Sequence, residues 1–213
     1  MGLLKNRETD AGPVASVATL RLPALLLATL RDGPTAAERR EAALELATVP
    51  GAARDLAAAL HEEVESSVRE AIVTTLIVIG TREAAAGLAD FINSDDPQLR
   101  NLAIEALRAI GPAAGSQVER LLTSPYPDVR IFAVNVLDAF FYRRAQDRER
   151  LHTILQHDPD VNVGLAAVEA LSQVGAPEDL PALRAFAARF SEHPFVGFAV
   201  DLVCRRAAPG DKP

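Results

Sequence analysis

The chain has 213 residues, 49% hydrophobic and 24% charged, with a formal net charge of -7, an ordinary composition for a soluble fold of one extended or two compact domains. The acidic balance argues against a nucleic-acid partner, since affinity for phosphate comes from clustered Lys and Arg. No run reaches the ~18 to 20 apolar residues of a membrane span. Cys204 is the only cysteine, which excludes an intrachain disulfide and a thiolate metal cluster and fits a cytoplasmic location.

Residues 1–16 have no sustained period and contain Gly12 and Pro13, as expected of a loose leader. The apolar stretch Ala15 to Leu30 is broken by Arg21 and preceded by Glu8 and Asp10, so it suits the first helix of a hairpin better than a signal peptide. From Val17 onward one pattern is written six times: Glu38 to Pro50, Val68 to Gly80, Leu99 to Gly111, Val129 to Phe141, Val163 to Gly175 and Phe195 to Ala207. Successive starts are 30, 31, 30, 34 and 32 residues apart, a period that predicts an all-α solenoid of helical hairpins. Residues 17–208 are expected to form this single array, and 209–213 a frayed tail.

Each copy is the second helix of a hairpin. In the third, Arg82 to Asn93 forms the first helix, Ser94 to Gln98 the turn and Leu99 to Ile110 the second helix. Leu99, Leu102, Ala103, Ala106, Leu107 and Ile110 recur at helical spacing, and Ile104 widens the stripe. Gly111 can take the left-handed conformation that ends a helix, and Pro112 cannot continue it. A single hairpin cannot hide its apolar stripe, so stacking the next copy supplies the burial. The last copy carries Cys204, Arg205 and Arg206 where inner copies have small or apolar residues, as expected of a cap.

The turns and helix starts carry a recurring signature: Asp95 then Arg100, Asp128-Val129-Arg130, Ser67-Val68-Arg69, and Asp158-Pro159 then Val163. In these features the chain resembles the HEAT-repeat family, particularly the short repeats of the phycobilin lyase group. The resemblance implies a right-handed α-solenoid of about six HEAT-like helical hairpins. It also implies that Arg39, Arg69, Arg100 and Arg130, at one repeat position, form a ladder with turn aspartates. Gly164 and Val196 replace the arginine in the fifth and sixth copies, so the ladder is expected to stop there and leave a looser or differently curved end. Members of the lyase group act in pairs to attach or remove bilins on phycobiliproteins.

No catalytic constellation stands out. His61-Glu62 is a lone His-Glu pair, whereas a di-iron cage would need several. His152 and His157 are five apart, which does not align two ligands on one helix face. The expectations are therefore no cofactor, no metal and no enzymatic activity. The array is read as a protein-binding scaffold, a bacterial signalling adaptor being one form of it, with a lyase-like subunit as the alternative.

Two surfaces are candidates for a protein partner. Thr74, Glu105, Asn135, Glu169 and Asp201 share the seventh position of their copies, with Arg108, Asp138 and Ser172 one turn on. Together they predict a polar, acidic strip on the concave face, suited to a basic partner. It belongs to a chain whose residues 52–111 alone carry a net charge of -5. Ile131 and Leu165 replace polar residues at the third position, and Phe132, Phe140, Phe141 and Tyr142 crowd the same region. With the stretched spacing and charged run Arg143 to Arg150 that follow, they suggest an apolar contact site.

Overall fold

A computed structural model describes residues 14–140, 145–173 and 176–207. Among the described residues there is no strand, and the fold is all-α. The chain divides into two compact units, Met1–Thr75 and Leu76–Pro213. In order, the helices are α1 (Val14–Asp32), α2 (Ala36–Glu45), α3 (Ala53–Glu62), α4 (Ser66–Ile79), α5 (Arg82–Ala89) and α6 (Pro97–Ile110). They continue with α7 (Gly115–Leu122), α8 (Pro127–Phe140), α9 (Ala145–His157), α10 (Val161–Ser172), α11 (Leu180–Arg189) and α12 (Pro194–Ala207). Taken two by two, they are the six hairpins that the repeat predicts. No described helix is long and apolar enough to cross a membrane.

In the first unit α1 packs on α2 and α3, and Leu46, Leu56, Leu60 and Ile72 are fully buried. The start of α2 is fixed by a reciprocal cap. The Thr35 hydroxyl accepts from the Glu38 N–H, and the Glu38 carboxylate accepts from the Thr35 N–H, each at 3.2 Å. Thr75 is buried in the α4 segment of this unit, where its hydroxyl donates to the Ala43 and Ala71 carbonyls at 2.9 and 2.8 Å.

In the second unit the helices of each hairpin pack together, and successive hairpins stack through their second helices, α6 on α8, α8 on α10 and α10 on α12. This is the arrangement of an α-solenoid. In α6 the expected stripe is buried at Leu99, Ala103, Ile104, Ala106 and Leu107. Gly111 ends the helix with φ of 69°, in the region that side chains rarely adopt. The starts of α6 and α10 are capped by Asp96 and Asp160, whose carboxylates accept from the N–H groups two and three residues on.

The arginine position forms a repeated clip. Arg39, Arg69, Arg100 and Arg130 each donate to the carbonyl six residues earlier, those of Gly33, Glu63, Ser94 and Ser124, at 3.0, 2.6, 2.7 and 2.9 Å. Arg39 and Arg130 also reach the next copy's turn. Arg39 engages the Glu63 carboxylate at 2.8 and 3.2 Å, and Arg130 engages Asp158 at 2.8 and 2.9 Å. A glutamate thus takes one of the places that the resemblance assigned to turn aspartates.

At Gly164 the expected gap is filled from the next hairpin. Arg189 of α11 donates to the Leu155 and Asp158 carbonyls at 2.7 and 2.6 Å. Asp158 is six residues before Gly164, so Arg189 takes the carbonyl that an arginine at 164 would have used. Glycine is required there because a Cβ would stand 2.1 Å from the ring of the fully buried Phe186. The end expected to be looser is closed by a ring packed on backbone and a guanidinium borrowed from α11.

Candidate functional site

The second helices of the second unit present a groove with two basins. The polar basin, about 400 Å³, lies across α6, α8 and α10 and is lined by Asn101, Glu105, Arg108, Asn135, Glu169 and Gln173, with Phe132 and Ile104 among its apolar members. The apolar basin, about 470 Å³, lies across α8, α10 and α12 and is lined by Ile131, Leu165, Phe195, Phe198 and Leu202, with Ser172 at its margin. Asn135, Ala166 and Glu169 line both. The strip and the apolar patch, read from the sequence as separate surfaces, therefore meet along a shared wall.

Eight of the expected residues come together here: Glu105, Arg108, Ile131, Phe132, Asn135, Leu165, Glu169 and Ser172. Asp201 is exposed on α12 but lines neither basin. Thr74 lies in the first unit, exposed, with its hydroxyl donating to the Glu70 carbonyl at 2.7 Å. Asp138 is in α8, but its side chain is not among those described, and Phe141 and Tyr142 lie outside the described residues.

Sequence reasoning missed the aromatic wall. Phe195 and Phe198 are each 67% exposed and Leu202 46%, with the two rings 6.4 Å apart. The signal was present in α12 as two interleaved apolar stripes. Val196, Val200, Val203 and Ala207 face inward, and Phe195, Phe198 and Leu202 form a second stripe at helical spacing. The expected apolar site thus borders the last hairpin. Phe132 turns to the polar basin, where the Arg100 guanidinium lies 5.5 Å from its ring centre.

The charges of the polar basin are unevenly paired. Arg108 sits 3.6 Å from Glu105, whereas Glu169 has no ion-pair partner among the described residues. Within α12, burial pushes the Cys204 thiol up, with Arg184 opposing the rise and Asp201 adding to it; it is not an activated thiolate. His152 meets the buried Asp179 at 2.7 Å, and His157 meets the Thr153 carbonyl at 3.0 Å. Among the described residues no three His, Cys, Asp or Glu side chains are grouped to hold a metal.

A larger cleft, about 850 Å³, opens between α7 and α9. Its base is the Arg130–Asp158 pair, and Arg150 reaches across to Glu119 while also meeting Asp147. Its cations are committed to structural pairs.

The family pattern described as HEAT repeats matches residues 117–193. Over 150 residues the chain is 31% identical to the bilin biosynthesis protein PecE of Mastigocladus laminosus, a match spanning 69% of this chain and 55% of the relative. The chain thus spans about half the length of that relative. Among solved structures, it is similar to an engineered protein at 17% identity and a TM-score of 0.43, over 87% of this chain and 95% of that one. It is also similar to the complex of CpcE and CpcF of phycocyanin lyase from Nostoc sp. PCC7120, at 17% identity and a TM-score of 0.37, over 97% of this chain and all of that one.

The expectation that the chain is not an enzyme is corrected by these findings, because the relative in sequence is named for bilin biosynthesis. The physical reason for the error is that helical arrays form sites from residues scattered over several repeats, which leave no compact motif. The chain carries HEAT-like repeats and resembles the phycobilin lyase group.

Proposed function

We propose that the chain is a lyase-like enzyme subunit that handles an open-chain tetrapyrrole on the groove formed by α6, α8, α10 and α12, in concert with a second protein. The observation that carries this reading is the 31% identity over 150 residues to a bilin biosynthesis protein. It favours this function over a signalling adaptor. The groove suits the ligand class: a bilin has a flat, conjugated, largely apolar body with polar nitrogens along one edge. Here an aromatic and aliphatic basin adjoins a polar one, the usual composition of a small-molecule site. The exposed Asp201 beside it would meet a basic partner surface, which steers encounter more than it adds affinity.

The test is to titrate the purified chain with biliverdin and follow the visible spectrum, then add a cysteine-bearing phycobiliprotein apo-subunit and assay covalent transfer by zinc-enhanced fluorescence on a denaturing gel. The expected result is a saturable absorbance change and faster attachment in the presence of the chain together with its partner subunit. Absence of any spectral change with the chain at concentrations well above micromolar would refute the reading.

A further inference from the structure

We infer that the Glu169 carboxylate, with the Asn135 amide beside it, meets the ring nitrogens of a tetrapyrrole bound in this groove and holds the chromophore in its protonated form. This rests on the proposed bilin-handling function and adds to it a residue and a protonation state.

Position is the first ground. Asn135 and Glu169 occupy the same repeat position on α8 and α10, which pack together, and both line the apolar and the polar basin. A flat chromophore lying on Phe195, Phe198 and Leu202 therefore presents an edge to them. Pyrrole N–H groups on that edge need acceptors once they leave water, and a carboxylate and an amide oxygen supply them.

Charge is the second ground. The charged groups lining the polar basin are Glu105, Arg108 and Glu169, and the first two pair with each other. The residues of α12 that line the groove carry no charge. On the other side of α10, helix α9 directs Arg150 to Glu119 and brings Arg148 and His152 to Asp179. Among the described residues Glu169 is thus the groove-lining charge without an ion-pair partner, and a chromophore laid against it over the apolar boundary would shield the contact from bulk water. It favours a cation and repels the propionates, which are directed outward to solvent. The added proton comes from solvent onto a ring nitrogen, and Glu169 remains ionised.

The test follows the long-wavelength band of bound biliverdin against pH for the wild type, Glu169→Gln and Glu169→Asp. An opposite charge within about 4–6 Å favours the charged form by roughly one to three pH units. The chromophore in Glu169→Gln is therefore expected to lose its proton at least about one pH unit below the wild-type midpoint. Glu169→Asp, which keeps the negative charge, is expected to stay near the wild type. Biliverdin bound by both wild type and Glu169→Gln with one midpoint overturns this assignment and leaves the proposed function standing. Biliverdin that does not bind the wild type overturns both.

Discussion

The turn edge and the second-helix groove use the same residue types in opposite ways. At the turns, charge is spent on structure: Arg130 and Asp158 have side chains only 10% and 9% exposed and are joined by two hydrogen bonds. In the groove, Glu169 stands exposed without an ion-pair partner among the described residues, beside aromatic rings that water still reaches. A satisfied network holds one geometry, whereas exposed and unpaired groups are available to a ligand. The difference teaches where to look for function in a repeat array: at the departures from pairing, since the regular rungs are already occupied.

The comparison is broken most severely at a rung. Arg130→Ala leaves Asp158 half of a buried pair and removes the donor to the Ser124 carbonyl; it is expected to destabilise the fold by about 3 kcal/mol, measured by urea unfolding. Gly164→Ala drives a methyl group into Phe186 and is expected to destabilise by about 1–3 kcal/mol, with Phe186→Leu in the same chain recovering part of the loss if the clash is the cause.

A smaller change is expected at Glu63. The Arg39 hydrogen bond, helped by the N–H groups of Glu65 and Val64 and opposed by burial, holds its carboxyl below the usual range. A depressed folded value means that the carboxylate's contribution is fully present above its unfolded value near pH 4.3 and is lost as pH falls through the folded value. Glu63→Gln should therefore flatten the acid limb of stability against pH, as followed by thermal melts between about pH 2 and pH 6. The smallest effect on stability belongs to the groove. Phe195→Ser with Phe198→Ser should shift unfolding by no more than about 0.5 kcal/mol per site, because both rings are exposed, while weakening the biliverdin absorbance change at least tenfold in ligand concentration. A large loss of stability there would mean that the rings are structural after all and the two regions are alike.

Much of the scaffold was legible because a period of about 30 residues leaves few alternatives. The buried stripe of α6 and the stop at Gly111 follow from spacing and backbone chemistry, and both are found. The candidate site was legible in part. Repeat register places Glu105, Asn135 and Glu169 on one face, since equal positions in stacked hairpins are neighbours. Register does not reveal that α12 carries a second apolar stripe pointing outward, because a degraded repeat copy looks the same whether it is a worn cap or one wall of a groove.

The sequence by itself determined the helical period, the helix ends and the face on which polar residues line up, because these depend on local spacing and on side chains within a turn or two. Only the tertiary structure decided what crosses between hairpins. Arg189, 25 residues after Gly164, takes over the missing rung, and Phe195 and Phe198 come to lie beside Ile131 and Leu165. Such contacts depend on how far each hairpin is turned on the last, a consequence of packing volumes such as the ring of Phe186 against Gly164, which no single repeat specifies alone.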